Sequence, residues 1–401
     1  MIEFRGREKV KNFLEKQTKH SEGERPMSKV KAAVLTGVKK IEMWDFERPE
    51  IPPDAILMKT DVAGVCGSDI HFYNGRGNLP LPVILGHEFV GTIVELGEQA
   101  INLEARGLSF EEGDKITVCP GTTGFCGTCY FCRFVPDRPN LCTARKVYGV
   151  TRSCKDPPHL FGGYSEYVYV DPVHWYVYKL PEEFPLELGA LIEPMATSTR
   201  ALERAFMPGL PGANEGFGLG KSVVVQGLGP IGLLAVAAAK IGGAGTVIGL
   251  DMIDARLKMA AKLGVDLIID LRQLTKPEER IEAVKRATNG LGADVGIEAA
   301  GVPEAVPEGI EMVRDGGKYV EVGHYTDTGP AKVRPHRICR KDLDLLGSWA
   351  YPMTQFHTAI AVLHANKDIF PFGELITRKF KLTKAKEALT ATGVVKAAIT
   401  P

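Results

Sequence analysis

The sequence has no surplus of charge of either sign and no long apolar run. Each shortage removes a class of function. Lysine plus arginine and aspartate plus glutamate both number 49, so the formal net charge is zero. Without a basic balance, neither a nucleic-acid nor an anionic-membrane partner is expected. No stretch stays apolar for the about 20 residues that a membrane-spanning helix needs. The opening segment, MIEFRGREKVKNFLEKQTKH, lacks the apolar core and small-residue cleavage site of a secretory signal, so a cytoplasmic location is the expectation. Internal repeats and low-complexity segments are absent as well.

What is present is ordinary in amount and uneven in placement. The chain has 401 residues, 44% hydrophobic and 24% charged, enough for two globular domains. Of its 8 cysteines, four crowd between Cys126 and Cys142. In a reducing compartment such crowding points to metal binding rather than to disulfides.

Three regimes follow one another along the chain. Residues 1–27 are charged and weakly apolar, and are expected to form a flexible extension outside the fold. Residues 28–195 carry short Val/Ile/Thr runs such as AILMKTDVAGV, GTIVELG and YSEYVYV, broken by glycine, proline and aspartate; this is a strand-rich pattern. Over residues 196–349, apolar strands such as KSVVVQG and TVIGLD alternate with Ala-rich helical stretches such as PIGLLAVAAAKIGG. That alternation predicts a parallel, doubly wound α/β sheet. Residues 350–401 return to mixed elements and end in VVKAAITP, a closing strand.

Gly227-Leu-Gly229-Pro230-Ile231-Gly232 fits the pattern G-x-G-x-x-G, and Asp251 lies 19 positions beyond its last glycine. The pattern is weak alone. Here it follows a buried strand, opens a helix and is joined by an acid at the end of the next strand. Gly227 permits a tight turn, Gly229 lets backbone approach a pyrophosphate, and Gly232 brings helix and strand together. The helix N-terminus then offers N–H groups and a positive dipole end to the phosphates. Asp251 can accept bonds from ribose hydroxyls but would repel a 2′-phosphate, so NAD is expected over NADP.

Cys126, Cys129, Cys132 and Cys142 have spacings that can close a tetrahedron around one zinc with no position left for substrate, the signature of a structural site. A second group is scattered: Cys66 in VCGSDIHFY, His87 and Glu88 in ILGHEFVG, and Glu193 in LIEPMATST. Singly, each would be read as packing or surface.

Together, CGSDIH, GHEFVG, the four-cysteine segment, LIEPMATST and GLGPIG with Asp251 resemble the zinc-containing medium-chain dehydrogenase/reductase superfamily. The resemblance runs from about residue 28 to the C-terminus. It implies a GroES-like catalytic domain (28–195 and 350–401, with a structural-zinc lobe at 119–145) around an inserted Rossmann domain (196–349). It implies a catalytic zinc between them, two zinc ions per chain, and a homodimer or homotetramer. Residue by residue, Cys66, His87 and Glu88 match catalytic-zinc positions. Glu193 matches a position that is cysteine in some members and glutamate in polyol and threonine dehydrogenases, where it either binds zinc or holds a water on it. Asp69 matches a carboxylate that orients the ligating histidine. Ser68 matches the hydroxyl that bonds the substrate oxygen, His71 the outer end of a proton relay, Thr197 a position near the nicotinamide and Arg256 a base near the adenosine ribose. The sequence departs from the family in three places. The spacer before Cys142 is lengthened around Val135-Pro136-Asp137, Phe72 stands where sorbitol dehydrogenases have tyrosine, and Lys341 where they have arginine.

The expected reaction is oxidation of a secondary alcohol or diol to a carbonyl, with hydride passing to NAD. Ser68 takes the hydroxyl proton, which leaves through the nicotinamide ribose to His71 and water; an imidazole suits that exit because it titrates near ~6.5. Phe72, Tyr73 and Trp349 suggest an aromatic pocket, though each could equally be core. Three other readings compete. A threonine-type amino-alcohol or polyol dehydrogenase shares the glutamate-type ligand set. A zinc-free quinone or enoyl reductase would lack that set. A non-catalytic NAD-binding protein would have lost Cys66 or His87, and both are present.

Overall fold

The computed structural model describes residues 29–102, 104, 106–121, 126–136, 138–171, 176–206 and 216–401. The extension assigned to 1–27, and Asp137 of the lengthened spacer, lie outside the described residues. The strands, in chain order, are β1 (Val30–Gly37), β2 (Lys40–Phe46), β3 (Ile56–Gly64), β4 (Val83–Ile84), β5 (Glu88–Leu96), β6 (Lys115–Val118), β7 (Tyr167–Val170) and β8 (Val177–Lys179). There follow β9 (Ser222–Gln226), β10 (Thr246–Asp251), β11 (Leu267–Asp270), β12 (Ala293–Glu298), β13 (Val313–Glu321), β14 (Asp344–Gly347), β15 (Ile376–Lys381) and β16 (Lys396–Thr400).

Two architectures result, as the composition requires. β9–β14 form a six-stranded sheet in the order β11-β10-β9-β12-β13-β14, every pairing parallel. Parallel strands need helices on both faces, so their residues read as unbroken apolar runs; Val223, Val224 and Val225 are fully buried. The order reverses between β9 and β12. That is the switch point at which loops diverge and leave a crevice beyond the strand ends. The remaining strands form the sheet β2-β1-β4 and a larger one, β15-β16-β3-β5-β6-β8, with β7 also on β3. The C-terminal β16 is thus inserted beside β3, antiparallel to it, which returns the end of the chain to the first half.

The helix Ile192–Ala205 joins the two halves. It packs on the helix Pro230–Ile241 of the parallel sheet and on the helix Thr354–Asn366, and its buried Ser198 hydroxyl donates to Ile231 O at 2.9 Å. The helix runs through position 196, where the sequence pattern changes regime, so the seam is a packed helix and not a linker.

At the end of the parallel sheet away from the switch-point crevice, Asp294 on β12 ties three central strands. It accepts from Ser222 N (2.9 Å) and Ser222 Oγ (2.8 Å) at the start of β9, and from Arg314 Nε (2.8 Å) on β13. Burial works against its charge, but the Ser222 and Arg314 hydrogen bonds hold its carboxyl below the usual value. Asp294→Ala should cost roughly 2–3 kcal/mol at pH 7, because charged hydrogen bonds are lost and a backbone N–H is orphaned. A carboxyl depressed in the fold contributes stability above its unfolded pKa of about 3.9 and loses it as pH falls through the folded value. The gap between parent and variant in urea unfolding should therefore be full at pH 7 and narrow below about pH 4. Equal stability at pH 7 would show that the tie carries no weight.

Candidate active site

At the switch point the structure opens a cleft of about 710 Å³, lined by residues of both halves, within the range of small-molecule sites. Cys66, Ser68 and His71 reach it from the short helix Gly67–Tyr73, His87 and Glu88 from the start of β5, and Glu193 and Thr197 from the bridging helix. Gly229, Pro230 and Ile231 reach it from the N-terminus of the helix Pro230–Ile241, and Arg256 from the helix Asp254–Lys262. Residues that are scattered in sequence thus face one space.

The first cluster is built on Asp69. This carboxylate is fully buried. It caps its own helix by accepting from Cys66 N (3.0 Å), accepts from Tyr164 OH (2.9 Å) and lies 3.4 Å from His87 Nδ1. Nδ1 is thereby turned toward Asp69, and Nε2 faces the cleft, 3.4 Å from Ser68 Oγ. A thiol of Cys66, a ring nitrogen of His87 and an oxygen of Glu88 lie within 4.8 Å of one another. Burial alone would push the His87 pKa down, but the Asp69 and Cys66 charges hold it well above the usual imidazole value. A field that favours a proton at Nε2 also favours a metal cation there. Glu88 Oε1 is buried without a partner. The donor set, one thiolate, one imidazole and one carboxylate, is zinc chemistry. These residues therefore suit the ion that the sequence implies.

Glu193 stands outside that set of three and lies beside it. Its Oε1 accepts from Tyr351 OH at 2.8 Å. Burial, and then the nearby Glu88, raise its pKa to about 7 against the opposing pull of His87, Tyr351 and Lys396. Lys396, fully buried on β16, donates to Glu88 Oε2. Burial disfavours its charge, yet the Glu88 carboxylate and Cys66 hold its pKa above the usual lysine value. His71 Nδ1 lies 3.3 Å from Arg76 NH1, and burial and then Arg76 lower the pKa of His71.

The glycine loop has the geometry its pattern demands. Gly227 has φ +83°, and a Cβ there would meet Ala300 Cα at 2.5 Å. A Cβ on Gly232 would lie 1.9 Å from Gly227 O, whereas one on Gly229 would meet nothing within 4 Å. Gly227 and Gly232 therefore close the strand–helix turn, and Gly229 keeps the backbone open to the cleft. Asp251 Oδ2 accepts from Leu228 N (2.8 Å), Oδ1 from Met252 N (2.7 Å) and Ile253 N (2.9 Å), and Arg256 NH1 lies 3.4 Å away.

Cys126, Cys129, Cys132 and Cys142 converge elsewhere. Three of their six Sγ–Sγ separations are 3.5, 3.7 and 3.9 Å. A tetrahedron with zinc–sulfur bonds of about 2.3 Å has edges of about 3.8 Å. The donor set and its spacing match. Backbone N–H groups of Cys129 and Cys132 point at Cys126 Sγ (3.2 Å) and Cys129 Sγ (3.5 Å). Hydrogen bonds, first from Thr128, bring the Cys126 pKa down to about 5, while burial and neighbouring thiols push Cys132 up to about 12. The longer spacer does not prevent convergence.

Some expectations need correction. Phe72 and Tyr73 are core, 7% and 3% exposed, and neither lines the cleft; Phe72 instead packs edge-on to Tyr325 at 6.3 Å. Their helix turns its Ser68–His71 face to the cleft, so the next residues point inward. Lys341 is also buried away from the cleft, with Nζ bonded to Ile310 O (2.8 Å) and Val313 O, so its departure from arginine says nothing about substrate. Trp349 does line the cleft.

The sequence reading missed Arg145, Tyr325, Tyr351 and Lys396, all in the lining. Of these only Lys396 left a signal, a lone cation in the apolar strand VVKAAIT. It also missed a third cluster, Glu298, Glu321 and His324, at the paired ends of β12 and β13. Glu298 Oε1 accepts from Ala300 N (2.9 Å) and Gly301 N (2.8 Å), and burial and then Glu321 push its pKa up to about 8.

Comparison with known proteins agrees with this arrangement. Residues 52–182 match the alcohol dehydrogenase GroES-like domain and residues 230–365 the zinc-binding dehydrogenase domain. The chain is 32% identical to sorbitol dehydrogenase of Bacillus subtilis over 364 residues, 90% of this chain and 92% of that one. It is 30% identical to 5-exo-hydroxycamphor dehydrogenase of Pseudomonas putida over 365 residues, 90% of this chain and 95% of that one. The crystal structure of an alcohol dehydrogenase from Thermotoga maritima superposes with a TM-score of 0.84 at 34% identity, covering 93% of this chain and all of that one. No helix among the described residues is long and apolar enough to cross a membrane. With both domain models matched in order and the cleft formed between them, the chain belongs to the zinc-dependent medium-chain dehydrogenase/reductase superfamily, oxidoreductases acting on CH–OH groups.

Proposed function

We propose that this protein oxidises a secondary alcohol or diol to its carbonyl with NAD as hydride acceptor. Cys66, His87 and Glu88 would hold a catalytic zinc, and Cys126, Cys129, Cys132 and Cys142 a structural one. The observation that carries the reading is the convergence of Cys66, His87 and Glu88 on the cleft, within 4.8 Å of one another, opposite the glycine loop. Sorbitol and hydroxycamphor, named for two relatives, both carry secondary hydroxyl groups, which supports that substrate class.

Zinc at Cys66/His87/Glu88 would supply Lewis acidity, of the kind that lowers a bound water's pKa from about 16 to near 7. NAD would accept the hydride. The chain's own residues do the rest. Asp69 fixes the tautomer and direction of His87. Glu193, poised by Tyr351, holds a proton or a water beside the ligand set. Ser68 and His71 lie three apart on the short helix, hence on one face, and both line the cleft. Ser68 accepts the substrate hydroxyl's proton, and His71, at the outer end, releases it to water. With its pKa lowered, His71 is neutral at physiological pH and able to accept. Thr197 borders the nicotinamide end of the cleft. The glycine loop and Arg256 hold the pyrophosphate and adenosine ends, and the walls exclude water and align the reactants.

Purified protein should contain two zinc ions per chain. Mild chelation should remove the one at the open Cys66 site together with activity, and leave the closed four-cysteine site filled. Metal analysis before and after chelation checks this; a single, chelation-resistant zinc with activity intact refutes it.

NAD should be preferred to NADP because Asp251 stands where a 2′-phosphate would sit. The mismatch is worth about 1–3 kcal/mol, several-fold to hundred-fold in affinity. Asp251→Ser should narrow or reverse the preference in kcat/KM. Equal use of both cofactors by the parent would contradict the assignment.

His71→Gln should leave zinc content and NAD binding intact and slow alcohol oxidation on the order of 10²-fold near neutral pH. The defect should shrink at high pH, where hydroxide takes the proton directly. The pH profiles of parent and variant decide: a uniform loss indicates packing, and no loss at any pH removes His71 from the proton path.

A further inference from the structure

Among the described residues, three cations other than histidine line the cleft: Arg145, Arg256 and Lys396. Arg256 faces Asp251 at 3.4 Å, and Lys396 is bonded to Glu88. Arg145 is different. Its guanidinium lies over the Trp349 ring, 4.4 Å from the centroid, and it has no hydrogen bond or ion pair among the described residues. The groups that act on it most strongly are the Tyr325 and Tyr351 hydroxyls and the Cys119 and Cys142 thiols, none of them a carboxylate. Burial lowers its pKa, yet a guanidinium stays cationic at any physiological pH. A half-buried charge with five N–H donors thus faces the cleft with no acceptor from the described residues. A guanidinium so placed, partly desolvated and short of acceptors, gains from an anionic partner.

Its position says where that partner would come from. Arg145, Tyr325 and Tyr351 line the same cleft as Cys66, His87 and Glu88. Tyr351, which also acts on Arg145, is hydrogen-bonded to Glu193. The cation–π contact with Trp349 holds the guanidinium at the cleft wall and occupies none of its N–H donors, and a guanidinium with free donors can receive a planar or tetrahedral oxyanion in two parallel bonds.

We infer that the substrate is an anionic alcohol, one that carries a carboxylate or phosphate held by Arg145 while its hydroxyl reaches Ser68. This rests on the dehydrogenase reading above and narrows it: neutral polyols and terpenoid alcohols leave Arg145 without a partner.

The experiment compares kcat/KM of the zinc-loaded enzyme with NAD for matched pairs: propane-1,2-diol against lactate, and glycerol against glycerol 3-phosphate. The anionic member of at least one pair should be preferred at least tenfold, and which pair shows it separates carboxylate from phosphate. Arg145→Leu should lose on the order of 10- to 100-fold on that member, mostly in KM, and distinctly less on its neutral partner. Arg145→Lys should keep part of the preference. Preference for the neutral member in both pairs overturns the inference. So does an equal loss on both members in Arg145→Leu, which would make the stack on Trp349 mere packing. If no alcohol of either kind is oxidised, the dehydrogenase reading fails separately. Calorimetric titration of the NADH-bound protein with lactate and with glycerol 3-phosphate then decides. Binding that weakens in Arg145→Leu supports the anion site, and binding that is absent or unaltered in that variant overturns it.

Discussion

The active site depends on one buried carboxylate. Asp69 has no exposed surface, so its charge survives only through its partners: Cys66 N, Tyr164 OH and the His87 ring. Those partners come from three separate segments. Burial raises the Asp69 pKa and the contacts lower it, with a net fall, so the ionised form is the one the fold stabilises. An apolar residue here would leave His87 free to rotate and the Cys66 N–H without an acceptor. Replacing one member of a buried charged network usually costs more than the net worth of any single contact in it. The Asp69 network thus serves folding and site geometry together.

The same logic explains the other charges at the bottom of the cleft. Glu88 is 1% exposed and would be costly if it stood alone. Lys396 compensates it from β16, 308 residues later in the chain. That contact ties the C-terminal strand to the first half of the chain: without β16, Glu88 would lose the lysine that offsets its charge. Gly64, next to this pair, leaves the space that the Glu88 carboxylate and the Lys396 stem occupy, since a Cβ there would meet Glu88 Oε2 at 2.2 Å.

Much of this was legible in the sequence, for definite reasons. The parallel sheet could be read because its central strands β9, β10 and β12 are buried on both faces and rich in Val, Ile and Gly. The glycine loop and the four cysteines could be read because local spacing carries their chemistry. Cys66, His87 and Glu88 were legible only through their motifs, since no local rule links residue 66 to residue 87. What stayed hidden has long-range contact in common. Tyr351 meets Glu193 across 158 positions, and Glu298 meets Glu321 only because parallel register sets them side by side. Phe72 and Tyr73 were ambiguous because an aromatic residue beside a catalytic helix can face either way, and the helix rotation decides it. Arg145 gave no signal at all; an arginine is conspicuous only once its lack of a partner is seen.

Asp251 shows how far one side chain can couple fold and specificity. A carboxylate has about four lone-pair sites. Three accept backbone N–H groups of Leu228, Met252 and Ile253, and Arg256 borders the fourth at 3.4 Å. Leu228 lies inside the glycine loop itself, so Asp251 ties the end of β10 to the turn after β9 and sets the loop's shape. The group that would accept a ribose hydroxyl is therefore also a strut of the phosphate cradle. A ribose hydroxyl can donate to this carboxylate, whereas a 2′-phosphate would meet its negative charge, with Arg256 as the neighbouring cation. Under the proposed reading, cofactor choice is not a surface charge laid over a finished fold. It follows from a carboxylate that the loop needs in order to close.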